Sequence, residues 1–242
     1  MPNVFTHGGG QEVPDGELLP NSFQGKAMMG RARVLLGDDH VMFSEGLRHI
    51  LEPHFEIVGL INNGRDLIEA AERLRPDVIV ADISMPSLNG IEAARRIRKT
   101  PHAPRIVFLT MHEDATFATA AFQAGASGYV LKRSAPAEII SAIQEAIRGR
   151  TYISPLVAGD VLGTLMERRK HPEKLKPELT SRQREVLQLL AEGKSPKQIA
   201  ANLNISARTV EFHKYRIMGA TGVRTIAELT SYAIVHGIIQ PS

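Results

Sequence analysis

From residue 33 to about residue 150, short unbroken apolar runs alternate with longer stretches in which apolar residues return every three or four positions. The runs at 34–36, 56–61, 78–81, 106–110 and 128–131 predict five strands. Between them, Phe43, Leu47, Ile50 and Leu51 mark the first helix, and Ile139, Ile140, Ile143 and Ile147 mark the last, with Pro136 at its start. Runs such as VIVA and IVFL do not alternate with polar residues, so these strands are expected to be covered on both faces. Five strand-then-helix units imply right-handed crossovers and a central parallel sheet, an α/β fold. In such sheets ligands sit beyond the carboxyl ends of the strands, and the residues found there carry the chemistry.

The pattern changes on either side. Residues 1–30 are rich in Gly, Pro and polar residues and lack a period, which predicts a disordered extension. Met28 and Met29 offer an alternative start. Residues 151–176, weakly apolar from 156 to 166, predict a helix followed by a linker. From 177 to 242 the pattern is helical only: four short helices broken at 193–195, 204–206 and 221–223. Thr180 or Ser181 caps the first, Pro196 opens the second and Ser206 caps the third. Leu229 and Ala233 mark the inner face of the last. In the third helix Val210 and Ile217 face inward, while Arg208, Glu211, Phe212, Lys214, Tyr215 and Arg216 make a basic and aromatic outer face. Two short helices joined by a tight turn, the second basic, are what a reader of the DNA major groove requires.

Composition excludes several classes. With no cysteine, disulfides, thiolate metal sites and cysteine nucleophiles are absent. No run approaches 18 apolar residues, so a soluble, cytoplasmic protein without a membrane partner is expected. The net charge of +3 is uneven. Residues 31–150 balance 15 basic against 15 acidic side chains, whereas residues 174–242 carry ten Lys and Arg against five Glu. A neutral module followed by a basic one suits a polyanionic partner.

Four of the strand ends carry polar residues: Asp38 and Asp39 after the first, Asp82 at the third, Thr110 at the fourth and Lys132 after the fifth. Three carboxylates in one cleft need a cation, and an all-oxygen set suits Mg2+. A lysine and a hydroxyl opposite would complete a clamp for a phosphoryl group.

With these residues in place, 33–150 resemble the receiver domain of bacterial two-component response regulators, a flavodoxin-like five-stranded parallel sheet. The resemblance implies that Asp82 is the phosphoacceptor for a sensor histidine kinase. It implies that Asp38, Asp39, Asp82 and the backbone of Ser84 hold Mg2+, that Lys132 and Thr110 meet the phosphoryl oxygens, and that Tyr129 swings inward as an aromatic switch. Ser84 and His112 stand where the family tunes acyl-phosphate lifetime. The sequence KRSAP departs from the family's usual Lys-Pro.

Residues 179–239, through LTSRQREVLQLLAEG, IA, IS, TV and His213, resemble the LuxR-type helix-turn-helix of the NarL and FixJ class, an all-α domain of four helices. By that resemblance residues 207–218 form the recognition helix. Glu211, Phe212 and Tyr215 would lie nearest base edges of double-stranded DNA, Lys197, Lys214 and Arg216 nearest phosphates, and two copies would pair as a homodimer on DNA. Glu211 replaces a frequent lysine, and GATGV places Gly219 and Thr221 where the family has a charged residue and a core leucine. The expected protein is a phosphorylation-controlled transcription regulator rather than an enzyme. The alternatives are a flavoprotein on the same sheet, disfavoured by the loop GDDHVMFSEG, which lacks a flavin phosphate cradle, a phosphatase, disfavoured because no Asp-x-Asp pair follows a strand, and a phosphate-independent regulator acting through protein contacts.

Overall fold

The structure, a computed structural model, describes residues 30–170 and 179–239. The expected extension at 1–30 and alternative start therefore lie outside the described residues, apart from Gly30. In chain order the elements are β1 (Arg33–Gly37), α1 (Val41–Leu51), β2 (Glu56–Ile61), α2 (Gly64–Leu74), β3 (Val78–Ala81), α3 (Gly90–Ile97), β4 (Arg105–Thr110), α4 (Ala115–Gln123), β5 (Gly128–Leu131) and α5 (Pro136–Ile147). Then follow β6 (Tyr152–Ile153), α6 (Pro155–Lys170), α7 (Ser181–Ala191), α8 (Pro196–Leu203), α9 (Ala207–Thr221) and α10 (Ile226–Val235).

All five expected strands form, and β6 adds a sixth, giving the order β2-β1-β3-β4-β5-β6 with every pair parallel. Two residues are too short a run to show in an apolar pattern, and β6 forms because Tyr152 and Ser154 donate to Ser127 and Tyr129 at the sheet edge. Unbroken apolar strands bury both sheet faces. Leu35, Ile79, Phe108 and Tyr129 meet α2, α3 and α4 on one face. Val34, Leu36, Val80, Val107 and Val130 meet α1 and α5 on the other.

The helix expected within 151–176 is α6, and it is not free of the sheet domain. Val157 and Val161, one turn apart and each 1% exposed, enter the first core, and α6 packs on α4. Residues 171–176, expected to be linker, lie outside the described residues.

The basic helices build a third core from Val186, Leu187, Leu189, Leu190, Ile199, Leu203, Val210, Ile217, Leu229 and Ala233. Thr180, Ser195 and Thr225 close capping boxes with Gln183, Gln198 and Glu228, and Ser206 caps α9. No helix among the described residues is long and apolar enough to cross a membrane.

Candidate functional site

β1 sits between β2 and β3, so the chain leaves β1 in one direction across the sheet and β3 in the other. The loops diverge there and open a crevice at the carboxyl ends of the two strands. Asp38 and Asp39 follow β1 and Asp82 follows β3. The backbone fixes them closely: Asp82 N donates to Gly37 O at 2.7 Å, and Asp38 N to Ile61 O at 2.8 Å. Gly90, whose N donates to Ile83 O, lies so near that a Cβ there would stand 2.1 Å from Asp82 O. That close approach is why the loop after β3 ends on glycine.

Lys132, from the end of β5, reaches into the crevice. Its Nζ lies 2.7 Å from Asp38 Oδ2 and 2.7 Å from Asp82 Oδ2, and 4.7 Å from the centre of the Phe43 ring. Asp38, Asp82 and the Lys132 side chain are nearly enclosed, while Asp39 stands at the surface. Asp82 Oδ1 accepts from Ser84 N at 3.3 Å. Burial raises the Asp82 carboxyl above its ordinary value, outweighing the pull of Lys132. For Lys132, burial opposes the charge, but the attraction and hydrogen bonds of Asp82 and Asp38 prevail and raise its value.

Thr110 is fully buried, and its Oγ1 accepts from His112 N at 3.3 Å. His112 is half-buried: its Nε2 lies 2.8 Å from Ser84 Oγ, and its ring stacks on Phe117 at 3.9 Å and 7°. Burial and Lys132 lower its imidazole value, against the pull of Asp114. Tyr129, expected to swing inward, is already fully enclosed, and its hydroxyl donates to His112 O at 2.8 Å.

The carboxylate set fits a hard divalent cation. One ligand atom from each of Asp38, Asp39, His40 and Asp82 falls within 4.8 Å of the others. Positive charge is already drawn between two of these carboxylates in the form of Lys132, and oxygen donors prevail, as Mg2+ requires. His40 is the addition that strand-end reasoning passed over, although it directly follows the Asp pair; its Nδ1 lies 3.1 Å from Asp38 Oδ1 and 3.0 Å from Asp39 Oδ1.

In the basic module, Val210 and Ile217 bury one side of α9, and Arg208, Phe212, Tyr215 and Arg216 are exposed on the other. Lys197 is exposed near the start of α8. Lys214 pairs with Glu211 at 2.5 Å, and the Arg216 guanidinium lies 5.8 Å from the Phe212 ring centre. The helix runs through Gly219 to Thr221, whose hydroxyl donates to Ile217 O at 2.8 Å, and Gly222 ends it with a φ of 78°. A recognition helix ending at 218 was therefore three residues short.

Two further residues went unnoticed in the sequence. Gln188 and Glu185, 1% and 2% exposed, bond to the loop after β3 and to α3. The signal was present in LQLL, where a glutamine interrupts an apolar run and so needs a buried partner.

Two family models match the chain: a response regulator receiver domain over residues 34–144, and bacterial regulatory proteins of the luxR family over residues 177–233. The transcriptional regulatory protein MctR of Rhizobium johnstonii is 35% identical over 211 residues, taking in 86% of this chain and 96% of its own. The RcsB response regulator of Salmonella typhimurium is similar in structure, with a TM-score of 0.61 at 27% identity, over 86% of this chain and 99% of that one. A structure of two RcsB dimers bound to two parallel DNAs matches with a TM-score of 0.51 at 28% identity, over 84% of this chain and 97% of that one.

Proposed function

The chain belongs to the transcriptional response regulators, a receiver domain joined to a LuxR-type DNA-binding module, and on that premise we propose that phosphorylation of Asp82 controls how the module engages DNA. The observation that carries this reading is Lys132 Nζ held 2.7 Å from both Asp38 and Asp82. A nearly enclosed ammonium poised over the acceptor is placed to follow negative charge onto an incoming phosphoryl group.

The donor is a phosphohistidine of a sensor histidine kinase. An Asp82 oxygen attacks phosphorus, the phosphorus–nitrogen bond breaks with its electron pair returning to the imidazole, and an acyl phosphate forms. Lys132 turns from the carboxylates to the phosphoryl oxygens, and the Thr110 hydroxyl donates to another. Asp38, Asp39, Asp82 and the Ser84 carbonyl would hold Mg2+, which offsets the charge of the transferring group when bound. Tyr129 keeps the Thr110–His112 loop in register through its hydroxyl. Attack of water on the acyl phosphate resets the switch.

The functional division follows residues 31–150 and 177–242, with 151–176 between them and 1–30 as an extension. Glu211, Phe212 and Tyr215 face base edges of double-stranded DNA, Lys197, Lys214 and Arg216 face phosphates, and Arg208 shares the DNA-facing surface of α9. Two copies bind paired half-sites, as the RcsB dimers on DNA suggest. The cytoplasm holds both the kinase's transmitter and the DNA. The test is labelling with acetyl phosphate and Mg2+, followed by intact mass. The native protein gains one phosphoryl group and Asp82→Asn gains none; labelling retained in Asp82→Asn would reassign the acceptor.

A further inference from the structure

His40 directly follows the Asp pair and is the N-cap of α1. Ser, Thr, Asp or Asn serves best there, because a short side-chain oxygen accepts from the free N–H groups of the first turn. The imidazole does not do so: it makes no cap hydrogen bond, and its Nδ1 lies 3.1 Å from Asp38 Oδ1 and 3.0 Å from Asp39 Oδ1. The backbone holds it there from both sides. His40 N donates to Asp38 Oδ1 at 2.9 Å, and His40 O accepts from Ser44 N at 2.9 Å. The buried Ser44 hydroxyl lies 3.3 Å from Asp38 O and 3.2 Å from His40 O, tying the loop to α1.

The carboxylate oxygens divide into two sets. Lys132 meets Oδ2 of Asp38 and Oδ2 of Asp82, whereas Oδ1 of Asp38 and Oδ1 of Asp39 face His40. A six-coordinate ion with bonds of about 2.1 Å sets neighbouring donors about 3.0 Å apart and opposite ones about 4.2 Å apart. Both separations between Nδ1 and the Oδ1 atoms match the first figure, and the set from Asp38, Asp39, His40 and Asp82 lies within 4.8 Å. Without an ion, a nitrogen between two carboxylates carries a hydrogen and donates it. With an ion, the tautomer reverses: Nδ1 gives its proton to water, Nε2 takes one up, and the Nδ1 lone pair faces the metal. The side chain is 55% exposed, which leaves water to accept from Nε2.

We propose that His40 is a nitrogen ligand of the divalent cation, making the crevice a mixed nitrogen and oxygen site that favours a first-row transition ion such as Mn2+ over Mg2+. Mg2+ gives up its waters reluctantly and prefers oxygen throughout, so exchanging a water for imidazole gains it nothing, whereas transition ions accept imidazole readily. This deepens the reading of the carboxylates as a cation site and rests on it.

The experiment uses the full chain, without a phosphodonor, as the native protein, His40→Ala and His40→Asn. Neither variant loses a helix cap, and Asn supplies one, so folding is preserved. Mn2+ binding is followed by loss of the free-ion electron paramagnetic resonance signal, Mg2+ binding by competition, and the ligand by spin-echo modulation from a directly bound nitrogen. The native protein should show that modulation, and both variants should lack it. His40→Ala should weaken Mn2+ binding at least about tenfold, the scale on which even a hydrogen-bond partner behind a metal-bound histidine matters, and Mg2+ binding by less than about twofold. Three results would each overturn the nitrogen ligand and leave the acidic site standing: Mn2+ bound to the native protein without nitrogen modulation, modulation that persists in His40→Ala, or the same preference between the two ions in both proteins. A native protein that binds neither ion would overturn the cation reading as well.

Discussion

Removing the Lys132 ammonium while keeping its stem, as in Lys132→Met, leaves Asp38 and Asp82 facing one another without the cation between them. Each contact at 2.7 Å is worth about 6 kcal/mol at an effective dielectric of about 20. Desolvation of three nearly enclosed ions offsets most of that gross gain, so the intact trio contributes little net stability. Deletion is different, because the desolvation of two carboxylates remains, and breaking a buried pair in this way costs about 3–5 kcal/mol. The site also has an escape that sets a ceiling. Protonating one carboxyl at pH 7, some three pH units above its ordinary value of 3.8, costs about 4 kcal/mol and removes the repulsion.

Lys132→Met should therefore lose about 3–4 kcal/mol in urea unfolding at pH 7 with chelator present. The sign of the pH dependence follows. A carboxyl raised in the folded state costs stability above its unfolded value, and the cost is lifted as pH falls toward it. Relative to the native protein, the variant should regain stability from pH 7 down to about 4. Millimolar Mg2+ should restore it at pH 7 more than it stabilises the native chain, since the ion takes over the neutralising role. A variant as stable as the native protein in chelator, or one with no added response to acid and Mg2+, would refute this account of the site.

Gly219 lies inside α9 with nothing within 4 Å of where a Cβ would stand, so Gly219→Ala should stabilise the protein by about 0.5–1 kcal/mol in urea unfolding. Loss of stability would mean that the position is not open. Replacing Lys214 and Arg216 with Gln should weaken binding to any duplex and reduce the slope of log K against log salt by about 2, whereas Phe212→Ala should change which sequences are preferred and leave the slope alone. Equal slopes for native and doubly substituted proteins would remove both from the phosphate contacts. Burial, then the charges of Asp114 and Asp82, push the Tyr129 phenol far above its ordinary 10.0. Its contribution to stability is present below pH 10 and lost as the pH rises beyond it. Absorbance at 295 nm in alkali should show one phenol ionising only with unfolding, a step that Tyr129→Phe removes; a persisting step would assign it elsewhere.

Periodicity and strand-end chemistry reveal the parts of this protein that follow from local rules. VIVA and IVFL read as strands because burial on both faces leaves nothing to alternate, and Asp38, Asp39, Asp82, Thr110 and Lys132 stand out because each breaks an apolar pattern where a sheet opens. The crevice brings together Asp38, Asp39, Asp82 and Lys132, with Thr110 buried at the next strand end. The two-residue β6 leaves no period to detect, and among the described residues of α6 the buried anchors are Val157 and Val161, too few to set a pattern. Gln188 and Phe117 have partners 99 residues or more away along the chain, so composition signals only that a buried glutamine needs something.

The anchoring of α6 has a kinetic and thermodynamic consequence. Because its first two turns are locked into the receiver core, only the ten residues 171–180 separate α6 from α7 along the chain. A module on so short a leash meets its docking site at an effective concentration of order millimolar. Docking then needs only a millimolar intrinsic affinity to hold half the molecules closed, and a tenfold weakening leaves about one in eleven docked. The few polar contacts of Gln188, Glu185 and Arg184 suffice at that scale, and a tighter interface would hold the switch shut.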